Sequence, residues 1–193
     1  MDRTKRMNRR REAEYSALRA TIRERGTARM VLLPVIFIGW AGAAIATAGV
    51  ITVAVSTLVP LLVLAAGFEA IFALHMNAER VGRYLQAFHE SDSVSVDALD
   101  DGAPPAWGWE RVAMAYGQRF PASAPDPLFG RLFVLAISVN FLPAALNFEF
   151  VAELILLAIP HFVLINRIRV ARIAAAGQRA EDLRRFNQLK EGR

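Results

Sequence analysis

The sequence contains no cysteine. Disulfides, thiolate metal sites, palmitoylation and prenylation are thereby excluded. The start Met1-Asp2-Arg3 lacks the glycine that myristoylation requires. There is no Walker loop, dinucleotide fingerprint, zinc-protease helix or nucleophile elbow, so no catalytic residue, metal ligand set or cofactor is nominated and the chain is not read as an enzyme. The absence that organises the rest is one of charge. From Met30 to Phe68, 39 residues pass without a single Asp, Glu, Lys, Arg or His. A run of that length is excluded from the core of a small soluble domain, and it suffices for two bilayer crossings joined by a tight turn.

What is present falls into alternating blocks. A second apolar run, Leu132 to Asn166, is interrupted only by Glu149, Glu153 and His161. The expected fold is all-α: an integral membrane bundle of four transmembrane helices in two hairpins, with cytoplasmic N-terminal, central and C-terminal helices. The expected segments are a basic N-terminal helix over 1–29, transmembrane hairpin 1 over 30–76, and a central part over 77–128. Hairpin 2 follows over 129–166, and a basic C-terminal helix over 167–193. The central part reads as a helix extension, an acidic linker and a short Trp-rich interfacial helix. A cleaved leader is disfavoured: Ala46-Thr47-Ala48 has a small-x-small form, but the apolar run continues 20 residues beyond it.

Lys and Arg decide the orientation. Residues 1–29 hold ten of them, 77–128 four and 167–193 eight, while the turns within the two apolar runs hold none. The positive-inside rule places both termini and the central segment in the cytoplasm, which requires an even number of crossings and agrees with four. The formal balances are +6, −4 and +5 for these three segments. Opposite charge is expected to draw the cytoplasmic parts together, and the basic ends to favour anionic lipid headgroups. Juxtamembrane arginines of this kind are orientation signals, so no nucleic acid is expected.

Within the spans, span 1 is expected over 30–48, with Gly26 loosening the helix before it. The reversal is expected at Ala48-Gly49, because so short a run leaves no room for a loop. Span 2 is then expected from Val50 to His75 with a kink at Pro60. Gly39, Gly42, Ala43 and Ala46 place small residues at four-residue spacing, where two helix backbones approach closely, either between spans or between copies of the chain. Trp107, Trp109 and Tyr116 mark the interfacial helix, expected over 106–116. Spans 3 and 4 are expected over 132–146 and 150–166. Beyond Arg167 the helix is expected to continue, with Ile173, Ala176, Ala180 and Leu183 as a packing seam.

Three local patterns resemble a widespread set of small bacterial inner-membrane proteins of no assigned activity. They are Glu14-Tyr15-Ser16-Ala17-Leu18-Arg19-Ala20-Thr21-Ile22, Arg80-Val81-Gly82-Arg83-Tyr84-Leu85 and Gly108-Trp109-Glu110. The resemblance covers residues 14–116 and implies a multi-pass protein of the bacterial inner membrane. The general layout is also similar to hairpin-type membrane subunits that act as sensors or effectors in defence systems.

The candidate ionisable residues are Glu69, His161 and His75. A Glu69–His161 pair makes a proton or cation site; alternatively Glu69 sits near the headgroups and pairs with an arginine. His75 and Glu79 are one helical turn apart, a spacing common by chance, and no metal is assigned to them. Two functional readings follow. The first is a non-enzymatic, self-associating scaffold, sensor or accessory subunit, a homo-oligomer in the bilayer. The second is a small transporter or channel that uses Glu69 and His161, with proline in each expected span.

Overall fold

The computed structural model describes residues 2–50, 56–90, 109–120 and 126–192. Among these residues the chain is helical throughout, with no strand. Five α-helices follow in order: α1 (Asp2–Ala48), α2 (Leu58–Leu85), α3 (Trp109–Arg119), α4 (Gly130–Leu146) and α5 (Val151–Glu191). A single π-helical turn, Gln86–Glu90, extends α2. Three of the helices, α1, α2 with its extension and α5, are long and apolar enough to cross a membrane; α4 is a shorter apolar helix of 17 residues.

The chain divides into two compact units. The apolar unit comprises Thr27–His75 and Asp126–Ala175. Here α1 and α2 run antiparallel, as their contacts require. Arg29 meets His75 at one end, Gly67 lies against Ile36 and Gly39 against Val63 in the middle, and Thr47 reaches Ser56 at the other end. From Arg29 to Thr47 the helix rises about 27 Å, close to the thickness of a bilayer's hydrocarbon core. Leu61, Leu64, Phe68 and Ile71 form the buried stripe of α2, and Phe133, Ala136 and Ile137 of α4 and Leu157, Leu164 and Ile168 of α5 are buried as well. Phe133 stands edge-on to Phe68 at 5.4 Å and tilted against Phe37 at 5.7 Å.

Several expectations are corrected. Gly26 does not loosen α1, which is continuous through it. The reversal is wider than a two-residue turn: α1 ends at Ala48, Gly49 and Val50 turn, and α2 begins only at Leu58, with 51–55 outside the described residues. Pro60 therefore lies in the first turn of α2 and not at mid-span, so it does not kink the helix. Proline is tolerated there because the first-turn N–H groups have no partner within the helix. Pro60 has no N–H to offer the Ser56 carbonyl, and that carbonyl accepts the Thr47 hydroxyl at 3.1 Å. Of the small residues proposed for close packing, Gly39 lies against Val63 of α2 and Ala43 is half-buried, whereas a Cβ on Gly42 meets nothing and Ala46 is exposed. The close approach is made by Gly67, where a Cβ falls 2.5 Å from Ile36 Cγ2.

The polar unit comprises Met1–Gly26, Met76–Pro125 and Ala176–Arg193. Its core is small: Ala78, Leu85 and Ala87 are buried beside the charged or polar Arg83, Gln86, Glu90 and Asp182. Ion pairs join its three segments, Glu90 to Arg19 at 3.5 Å, Glu79 to Arg179 at 2.9 Å and Asp182 to Arg80 at 3.7 Å. Tyr84 donates to Glu14 at 2.8 Å and packs edge-on against Phe186. The seam expected on α5 is rotated. Leu157, His161, Leu164, Ile168, Ala171, Ala175 and Asp182 are its buried residues, while Ile173, Ala176 and Ala180 are exposed and Leu183 is half-buried. Helix α3 packs on the π turn, and the expected first residues of that helix, 106–108, lie outside the described residues. Trp107 lies outside the described residues.

Two glycines on facing helices are expected to respond oppositely to alanine. Gly67→Ala drives a Cβ into buried Ile36 and lowers stability by about 1–3 kcal/mol. Gly42→Ala meets open space and is neutral or stabilising by up to about 1 kcal/mol. Unfolding titrations of the two variants in one detergent decide it; equal effects refute the packing described.

Candidate functional site

The polar residues of the apolar unit converge on one side chain, Asn140 of α4. Asn140 is buried, and so are Thr57 and His161. Its Oδ1 accepts the indole N–H of Trp40 on α1 at 3.1 Å. Its Nδ2 donates to the Thr57 carbonyl, one residue before α2, at 2.8 Å, and lies 3.1 Å from His161 Nε2 on α5. His161 Nδ1 is 2.8 Å from the Leu157 carbonyl. A carbonyl only accepts, so Nδ1 carries the hydrogen and Nε2 accepts from Asn140. This neutral tautomer is the one that satisfies every group. Imidazolium would set an N–H against the Asn140 amide donors, and turning the amide over would break its bonds to Trp40 and Thr57. Phe141 stacks obliquely on the imidazole at 4.9 Å.

This node can hold helices together; it offers little for chemistry. Both amide hydrogens and the carbonyl oxygen of Asn140 are engaged, and no strong acid or base stands beside the neutral imidazole. A buried amide with all its bonds made fixes the register of its partners, and with any bond missing it costs more than an apolar replacement.

The other candidate residues take separate partners. Glu69 and His161 do not pair. Glu69 is bound by Arg167, Nε to Oε1 and Nη2 to Oε2, each at 2.8 Å. That bidentate contact sits on the surface of the unit, with the carboxylate side chain 47% and the arginine 38% exposed, and the guanidinium stacks 5.0 Å from the Phe72 ring. His161 lies six residues before Arg167 on α5, about 9 Å along the helix, and has its own partner in Asn140. His75 is buried and its Nδ1 accepts from Arg29 Nη1 at 2.9 Å. A guanidinium on that nitrogen opposes metal coordination there, and among the described residues no three His, Asp or Glu side chains gather in metal-binding geometry. Glu149 is exposed and Glu153 half-buried near the α4–α5 turn. Trp109 opens α3, and Tyr116 is exposed and packs on Phe120 at 5.0 Å.

Asn140 is the residue that sequence reasoning passed over. An amide inside a span is costly unless bonded, so its presence in Val139-Asn140-Phe141 was a signal as strong as His161. Gly67 and Asp126 gave no such signal. Asp126 accepts the backbone N–H groups of Leu128 and Arg131, ahead of Phe129 in the left-handed region at φ 51°.

No protein family, curated protein or solved structure matches this chain.

Replacing Asn140 strands the Trp40 indole N–H and His161 Nε2, while the Thr57 carbonyl keeps the Leu61 N–H at 3.3 Å. Asn140→Ala is expected to destabilise the protein by about 2 kcal/mol, against about zero for Leu142→Ala on the exposed side of α4. Reversible unfolding in detergent measures both, and equal losses at the two positions remove the node from the account.

Proposed function

We propose that this chain is a four-span integral membrane protein of the bacterial inner membrane, with both termini and the central segment in the cytoplasm. It works without catalysis, as a self-associating scaffold, sensor or accessory subunit. The observation that carries this reading is the node itself: both amide hydrogens of Asn140 and one lone pair of its oxygen are spent on groups of three other elements of the unit. Helix α4, though shorter than the other three, rises about 25 Å, and the two-residue contacts along α4 and α5 run in opposite directions like those of a hairpin. Self-association is supported by the outward face of α1, where Ile38 and Ile45 are exposed beside Gly42 and Ala46. The transport reading asks Glu69 and His161 to share a path. It is the weaker of the two, since each has its own partner and α1, α4 and α5 run unbroken through Pro34, Pro143 and Pro160.

The absence of cysteine makes the topology directly testable. Single cysteines at Ser16 and Gln188 are expected to react with an impermeant maleimide only after permeabilisation, and those at Gly49 and Asn147 in intact cells. Labelling of Asn147→Cys only after permeabilisation overturns the four-span reading. Native mass in nanodiscs tests association: the wild type is expected as a defined oligomer that Gly42→Leu shifts towards monomer. A wild-type monomer, unchanged by salt, rejects the scaffold.

A further inference from the structure

Where α4 enters the apolar unit, arginines from two other helices bind one short turn to which a third arginine belongs. Arg29 of α1 donates to the Pro127 carbonyl at 3.3 Å. Arg172 of α5 holds its Nε 3.8 Å from Asp126 Oδ2, and its stem lies so close to Gly130 that a Cβ there falls 3.1 Å from Arg172 Cδ. Arg131 belongs to the turn, its backbone N–H on Asp126 Oδ2 at 3.4 Å. Among the described residues, Asp126 is the carboxylate that these contacts bring to the turn. His75 beside Arg29 accepts a hydrogen bond and adds no carboxylate. The Arg131 side chain is exposed and makes no ion pair or hydrogen bond among the described residues.

We propose that this turn, with Arg29, Arg131 and Arg172, binds the phosphate headgroup of an anionic phospholipid in the cytoplasmic leaflet. The proposal rests on the membrane reading above. The exposed guanidinium of Arg131, without an ion pair among the described residues, asks for an anion, and basic pockets between spans on the cytoplasmic side are suited to phosphate headgroups. Asp126 already caps the amide ends of α4, so the guanidiniums and not the helix terminus hold the phosphate. A lipid fits better than free phosphate because an apolar stripe leads directly away from Arg131. Leu132, Leu135, Val139 and Leu142 are all exposed along α4 at 3-4-3 spacing, a track for acyl chains.

The test is native mass spectrometry of the full chain released from mixed phosphatidylcholine–phosphatidylglycerol nanodiscs. The wild type is expected to retain phosphatidylglycerol in preference to phosphatidylcholine. Arg131→Gln, which removes no contact within the fold, is expected to lower that retention about fivefold, and Arg131→Gln with Arg172→Gln further. Arg184→Gln with Arg185→Gln, at the far end of α5, is expected to change nothing, and inorganic phosphate is expected not to displace the lipid. Equal retention by inserted Arg131→Gln overturns the site alone. An equal loss in the Arg184/Arg185 variant reduces it to general charge attraction, and displacement by inorganic phosphate makes it an anion site without a lipid. Failure of the wild type to insert overturns the membrane reading, and the site with it.

Discussion

The apolar unit depends on the rule that a polar side chain placed among hydrocarbon must find its partners inside the protein. Asn140 meets that rule with bonds to Trp40, the Thr57 carbonyl and His161. Its energetic weight is asymmetric. Each bond adds about 1 kcal/mol or less when made, whereas each group left bare costs about 1–3 kcal/mol. The node therefore does little to bring helices together and much to exclude other ways of packing them. Apolar helices in an apolar solvent slide and rotate at small cost, because every face is acceptable to lipid. One amide that is satisfied at a single register removes that freedom for all four elements.

The polar unit solves the same problem with other means. Helices α1, α2 and α5 continue there, and their small apolar core is bordered by Arg83, Glu90 and Asp182. Glu79 holds Arg179 and Glu90 holds Arg19, so the acidic central segment is tied to both basic ends. Exposed pairs of this kind contribute little each and weaken with salt, but Glu90 and Asp182 are largely withdrawn from solvent and are screened less. Glu181, on the outer face of α5, belongs to the exposed class. The hydrogen bond from Arg184, helped by the charges of Arg184 and Arg185, holds its carboxyl below the usual range. Its contribution is present above the unfolded carboxylate range and is lost as the pH falls.

How much of this was legible in the sequence follows from the same physics. Apolar length marked α1, α2 and α5, because the composition of a span is set by the solvent. Facing was not legible. In a span both the packed and the open sides are apolar, so Gly39, Gly42, Ala43 and Ala46 looked like one interface when Gly39 lies against α2, Gly42 and Ala46 are open, and Gly67 makes the close approach. On α5, two stripes have 3-4 spacing. Ile173-Ala176-Ala180 is the more uniform in composition, yet Ile168-Ala171-Ala175-Asp182 is buried, since Asp182 has Arg80 to pair with. The late start of α2 escaped because an uncharged run gives no sign of where a helix stops inside it. The polar residues were visible one by one, Trp40, Glu69, Asn140 and His161 among them. Their pairing depends on depth, which a shift of eight residues in the start of α2 was enough to change.

The arginines at the inner end of the spans carry a further consequence. The positive-inside rule treats them as independent charges kept on one side by the cost of translocation. Here Arg29 is bonded to His75 and Pro127, Arg167 to Glu69, and Arg172 to Asp126. Each of these three arginines also joins two elements of the apolar unit. Under the proposed topology the two effects reinforce each other. A hairpin inserted the wrong way round strands its arginines on the far side and leaves His75, Glu69 and Asp126 without the guanidiniums they face. Orientation and packing are then selected together, by the same few side chains.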